Sequence, residues 1–263
     1  MNFSIPLATL EVVMLAGVRM AAFLVIAPPF AHGAVPGRVK AMLAVGLGLA
    51  AAPGAKAAAD AAGVRVGDAV ASGTATFLAD LLLQVVVGGA LGFLVALVFA
   101  AVQSAGNLID LFGGFQLAQA FDPMSMTNGA QFSRLYTMTA IVLLFASDAY
   151  QVVIAGLVRS FDALPIGMPL DLAAMAQAVT TGITDLFVAA LQVAGPLIVV
   201  LFLADAGLGL LTRVAPALNA FALGFPLKIL LTITLCVVAY LALPQIVAAL
   251  TDDAMGAVME VGR

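Results

Sequence analysis

Six long apolar blocks, joined by turn-rich links, leave this chain almost nothing charged to set against water. They fall at about 7–27, 39–52, 77–105, 135–158, 186–211 and 226–250. These blocks exceed strand length and are rich in Ala, Leu and Gly, the composition of packed membrane helices. The fold class they imply is all-α, with membrane-associated helical hairpins built from about six apolar helical segments. Of 263 residues, 9% are charged and 64% hydrophobic, against roughly 25% charged in a soluble domain. Mean hydropathy is +1.19. A soluble chain of this length would need charge to cover its core. Here the apolar faces must turn to lipid or to other subunits.

The polar minority excludes several functions. The net charge is only −4 and no basic stripe exists, so nucleic acid is not an expected partner. Cys236 is the sole cysteine, lies in LLTITLCVVAYLAL, and reads as a buried, inert thiol. His32 follows Pro28-Pro29 with no second histidine to share a metal. No His/Cys cluster, phosphate loop or Gly-x-Ser-x-Gly is present, and Asp252-Asp253 read as solvated. The expectation is a protein that is not an enzyme and uses no cofactor or metal. Glu11 interrupts the first apolar run and no basic region precedes it, so that run reads as a retained segment rather than a cleaved signal.

The blocks are unequal. The second offers about fourteen residues before Pro53-Gly54, whereas a span needs ~20. It reads as a short, re-entrant or protein-buried segment. Only the third reads as an uninterrupted crossing, and Asp148 interrupts the fourth. Assigning loops alternately to two sides places Arg38, Lys40, Arg134, Arg213 and Lys228 against Lys56, Arg65, Arg159 and Arg263. That is no positive-inside bias. Residues 53–74 read as an exposed, partly helical connection, and the whole of 1–263 as one domain.

Three features could carry a mechanism. Gly88, Gly92, Ala96, Ala100 and Ser104 stand four apart, forming a shallow groove where another helix can approach closely. Arg19, Asp110, Asp148, Asp205, Arg213 and Lys228 lie in or beside apolar blocks, where each would cost roughly 2.5–3.5 kcal/mol at mid-helix unless it faces protein, water or a countercharge. Asp205 and Arg213 sit about 80° apart around a helix and cannot pair without distortion. Ion pairs that fix assembly are the preferred reading of these charges over a proton or ion relay. Third, residues 106–129 join two apolar blocks yet are half apolar. Gly113-Gly114 should break the helix between Phe112 and Phe115, and Asp122-Pro123 marks a turn before Met124 and Met126. Two readings stay open: a deformable apolar constriction, or an ordinary loop whose phenylalanines pack into neighbours.

Four stretches together resemble the FliR/SctT family of type III export-gate proteins. They are LFLADAGLGLLTRVAPALNAFALGFPLKILL at 201–231, VRMAAFLVIAPPFAHGAVPGRVKAMLAVGLGLAAAP at 18–53, GNLIDLFGGFQLAQAFDP at 106–123 and SFDALPIG at 160–167. The resemblance implies a subunit of a multi-subunit flagellar export-gate assembly in the bacterial inner membrane, within the basal body. It also implies partners: P-type and Q-type subunits (FliP, FliQ), FlhB, FlhA, membrane lipid and unfolded flagellar export substrates. It implies a plug loop, carried here by Leu111, Phe112, Gly113, Gly114, Phe115, Gln116 and Leu117. Asp205, Arg213 and Lys228 match polar positions of the 201–231 signature, where subunit contacts are expected. The alternative from another class is a self-contained secondary transporter with an ion relay through Asp148 and Asp205.

Overall fold

The computed structural model describes residues 7–31, 33, 35–64, 74–116, 130–215 and 220–260. Among them are seven α-helices and no strand: α1 (Leu7–Ile26), α2 (Gly37–Ala61), α3 (Thr74–Phe112), α4 (Gln131–Ala146), α5 (Ala149–Ala163), α6 (Leu172–Val214) and α7 (Ala220–Glu260). Two compact units arise. The first takes Met1–Leu97, Asp148–Ile183 and Thr251–Arg263, and the second Val98–Ser147 and Thr184–Leu250.

The punctuation follows local chemistry. α1 stops at Ile26, just before Ala27 and the Pro28-Pro29 pair, because a residue ahead of proline is pushed out of the helical region. The fourth apolar block becomes two helices, α4 and α5, broken between Ala146 and Ala149. Asp148 stands in that break at φ 57, a left-handed conformation that aspartate tolerates better than most side chains. α3 ends at Phe112, and Gly113-Gly114 form the turn beyond it.

The second block departs from expectation. α2 does not stop at Pro53-Gly54 but runs 25 residues, with Pro53 inside it. Pro53 and Gly54 lie on the exposed face, so no buried carbonyl is orphaned by the missing N–H. The following KAAADA supplies strong helix formers. Ala44, Gly48, Ala51, Ala52, Ala55 and Ala59 are its buried residues, a stripe of small side chains turned toward α1. There a Cβ added to Gly48 would lie 2.7 Å from the Cα of Gly17, so the two backbones nearly touch.

The expectation of a single uninterrupted crossing is also corrected. Five helices (α1, α2, α3, α6 and a stretch of α7) are long and apolar enough to cross a membrane, or six if α4 and α5 count as one broken span. The helices outrun the apolar blocks at their ends, so composition alone understated them. α3, α6 and α7 hold 39, 43 and 41 residues. At ~1.5 Å per residue each is about 60 Å long, roughly twice a bilayer's hydrocarbon thickness.

In the first unit α3 packs against α1. A Cβ on Gly88 would collide with the backbone carbonyl oxygen of Arg19, and one on Gly92 would sit 3.0 Å from that of Phe23. Backbone cannot swing aside, so Gly88→Val is expected to cost about 3 kcal/mol, the upper end of ordinary overpacking. Circular dichroism melting of the purified chain in detergent checks this. An unchanged transition would refute the close approach.

Candidate functional site

In an apolar chain, buried polar side chains mark where structure or function demanded them. Arg19, Gln84 and Ser160 are buried in the first unit, and Asp110, Ser133 and Thr232 in the second. No group of three or more His, Cys, Asp or Glu able to hold a metal occurs among the described residues.

Arg19 organises the first unit. Its Nε donates to Gln84 Oε1 of α3 at 2.8 Å. Nη1 donates to the Ser160 carbonyl at 3.1 Å and to Ser160 Oγ at 3.2 Å, and Nη2 to the Leu164 carbonyl at 2.8 Å. The guanidinium carbon lies 4.0 Å from the centroid of the Phe161 ring. The positive charge therefore meets the C-terminal carbonyls of α5, the negative end of that helix. A charge expected to seek a countercharge is instead held by dipoles and an aromatic face. Apart from Gln84, the partners come from the 160–167 stretch, a signal present in the sequence but not connected to Arg19 by spacing.

Asp110 organises the second unit. It is fully buried near the end of α3. Its carboxylate accepts from the N–H of Phe132 at 3.1 Å and of Ser133 at 3.0 Å. These belong to the first turn of α4, where N–H groups lack partners within the helix. Ala130, at the capping position, makes no side-chain cap. Asp110 thus caps a helix that begins some twenty residues further along the chain. Close approach makes this reachable: a Cβ on Gly106 would overlap the Cα of Ser133.

The turn after α3 is fixed at the same place. Gly113 N–H bonds the Ile109 carbonyl at 2.8 Å, and Gln116 N–H bonds the Asp110 carbonyl at 3.4 Å. Gly114 adopts φ +82, which glycine alone takes readily, and a Cβ there would lie 3.5 Å from the Phe225 ring of α7. Gly113 faces Thr232, whose buried hydroxyl makes no hydrogen bond among the described residues. Phe115 stands edge-on to Phe132 with centroids 5.0 Å apart. Below, Tyr136 hydroxyl and Cys236 Sγ are 3.6 Å apart. An open apolar groove of about 290 Å³ runs beside them, lined by Phe132, Leu135, Ile233, Cys236, Val237 and Tyr240.

Of the residues singled out for a plug, Leu111 and Phe112 close α3 and Gly113–Gln116 form the turn. Leu111 and Gln116 are exposed, while Gly113 and Gly114 are buried. Leu117, Asp122, Pro123, Met124, Met126 and His32 lie outside the described residues. Of the small-residue series, Gly88 and Gly92 approach α1 closely, and Ala96, Ala100 and Ser104 are half-buried. Past Leu97 a further close backbone approach of α3 lies at Gly106, which the four-residue spacing passes over. Asp205 pairs with Lys228 of α7 at 2.7 Å, and Arg213 is exposed. Spacing along one helix compared Asp205 with Arg213. Its partner stands on the next helix.

Sequence comparison meets this geometry. Residues 10–254 match the family described as bacterial export proteins, family 1. The flagellar biosynthetic protein FliR of Escherichia coli (strain K12) is 36% identical over 219 residues, 82% of this chain and 79% of that protein. FliR of Bacillus subtilis (strain 168) is 30% identical, over 59% of this chain and 61% of its own. The Yop proteins translocation protein T of Yersinia pestis is 29% identical, over 55% and 56%.

Proposed function

This chain belongs to the bacterial export proteins, family 1, and on that premise we propose that it is a non-enzymatic core subunit of the flagellar type III protein export gate. It forms part of the pore for unfolded substrate proteins, and the turn after α3 contributes the plug. P-type and Q-type subunits (FliP, FliQ), FlhB and FlhA surround it at the flagellar basal body in the inner membrane. The observation that carries the plug assignment is the base of the loop. Just past Leu111 and Phe112 the turn is braced: Gly113 and Gly114 lie against Thr232 and Phe225, Phe115 stands edge-on to Phe132, and Gln116 N–H bonds the Asp110 carbonyl. An apolar segment fixed this firmly can seal a pore by excluding water.

The apolar surface also supports an assembled subunit. In their most apolar 18-residue windows α6 is 33% buried and α7 18%, against 61% for α3. Phe187, Phe202 and Leu241 are 63%, 64% and 72% exposed. Helices about 60 Å long cannot place all such residues in lipid, and other subunits are the remaining apolar environment. The transporter alternative has less behind it, since Asp205 is held by Lys228 and Asp148 serves the break between α4 and α5.

Deleting Gly113–Gln116 in the complete gate tests the plug. Small-ion leak through the membrane is expected to rise on the order of tenfold or more, because a dewetted constriction blocks ions while it stands. Secretion of flagellar substrates should change with it. If both leak and secretion stay at wild-type levels, the turn is no plug.

A further inference from the structure

We propose that Asp110 is the positioning residue of the plug, a latch that ties the start of the turn and the start of α4 to one point. This rests on the plug reading above and assigns what holds that plug shut.

The argument begins with which groups need partners. The first N–H groups of α4 are buried with Phe132 and Ser133, and a buried N–H without an acceptor is costly. The residue at Ala130 cannot supply one. A carboxylate brought from α3 does, and its negative charge also suits the positive end of a helix. Charged acceptors make the stronger class of hydrogen bond. Asp110 is therefore committed to α4 through its side chain.

Its backbone does a second task. The Asp110 carbonyl accepts from Gln116 N–H, so the last residue of the described turn is tied to the same residue whose carboxylate holds α4. Phe115 and Phe132 meet edge-on just outside this point, which makes the latch partly aromatic. The turn is then seated on α7 by Gly113 against Thr232 and Gly114 against Phe225. Releasing the carboxylate would leave the first N–H groups of α4 without their acceptor and loosen Phe132 against Phe115, even with Gly106 still packed on Ser133. The plug residues would all remain, without the contact that orients them. No other carboxylate is bonded to this turn among the described residues.

The test uses the complete gate in inner-membrane vesicles, with small-ion flux as the readout and membrane abundance of the chain measured alongside. Four forms are compared: the natural chain, Asp110→Asn, the Gly113–Gln116 deletion, and the two combined. Asn keeps one carbonyl acceptor but loses the charge and one lone-pair partner. Flux is expected to rise about tenfold in Asp110→Asn, which corresponds to about 1.4 kcal/mol, at unchanged abundance. Asp110→Ala, which keeps no acceptor, should leak more than Asp110→Asn. In the combined form the flux should equal that of the deletion alone, since two changes acting through one element do not add. A tight Asp110→Asn gate overturns the proposal. So does a flux increase that multiplies that of the deletion, or an equal loss of abundance with and without the turn, which would make Asp110 a folding residue only. A deletion that does not leak would remove the plug reading itself, whereas a leaky deletion beside a tight Asp110→Asn fails the latch alone.

Discussion

Replacing Arg19 by leucine is expected to unfold the first unit or leave it barely stable. The side chain is 1% exposed, and its donors serve Gln84 Oε1 and the carbonyls of Ser160 and Leu164. Ser160 Oγ keeps its own donation to the Leu157 carbonyl at 2.6 Å, and the Ser160 carbonyl still accepts from Leu164 N–H at 2.8 Å, so two acceptors, Gln84 Oε1 and the Leu164 carbonyl, lose their donor. At roughly 1–3 kcal/mol for each unsatisfied buried group, the loss falls between about 2 and 6 kcal/mol. That is comparable with the 5–15 kcal/mol by which ordinary domains are stable. The stacking on Phe161 goes as well, worth about 2 kcal/mol where water is excluded. An opposing effect exists: α1 without its charge should insert into a bilayer more easily, by roughly 2.5–3.5 kcal/mol. Packing outweighs it when both acceptors are orphaned and the Phe161 contact is lost with them. Arg19→Lys should not rescue the fold, because one ammonium cannot reach three acceptors spread around a planar fork. Thermal melting and limited proteolysis of the detergent-purified chain decide the matter. A leucine variant that melts within a few degrees of the natural chain would show that these bonds contribute little.

Arg19 also shows what was legible in the sequence and what was not. A charge in an apolar helix announces that it must face something, and both Arg19 and Asp110 are visible in that way without coordinates. Their partners are not. Ser160 stands 141 residues from Arg19, and Ser133 stands 23 from Asp110. No periodicity relates positions on different helices, and two of the Arg19 acceptors are backbone carbonyls, which any sequence supplies. The same limit explains Asp205. Helical geometry excluded Arg213 as its partner, and nothing in one helix could nominate Lys228 on the next. Breaks were easier to read because they are local: Asp148, Pro28-Pro29 and Gly113-Gly114 interrupt helices through their own backbone preferences. Pro53 misled for a physical reason, since a proline on an exposed face leaves no buried group unsatisfied and Ala-rich sequence carries the helix onward.

Gly106→Val is expected to be the other severe substitution, and it separates close packing from the general abundance of small residues. A Cβ at Gly106 would overlap Ser133 Cα, lie 2.6 Å from Ser133 N and 2.8 Å from the carbonyl carbon of Phe132. All three are backbone atoms of the Phe132–Ser133 peptide unit, whose N–H group Asp110 receives. α4 cannot keep its place and admit the side chain. The cost should therefore exceed the ~3 kcal/mol of ordinary overpacking, and it should fall on the Asp110 contacts first. Gly106→Ala should act in the same direction. Gly54→Ala provides the contrast, because a Cβ there meets nothing within 4 Å, and alanine in an open helical position should stabilise by about 0.5–1 kcal/mol. Melting temperature orders the variants, and hydrogen exchange at the Phe132 and Ser133 amides locates the damage. Those amides should lose protection in Gly106→Ala and keep it in Gly54→Ala. Adding Asp110→Asn to Gly106→Ala should then change little, since the first substitution has already broken what the second removes. If Gly106→Ala melts like the natural chain with both amides still protected, α3 and α4 are not in backbone contact. The carboxylate would then need another route to the start of α4.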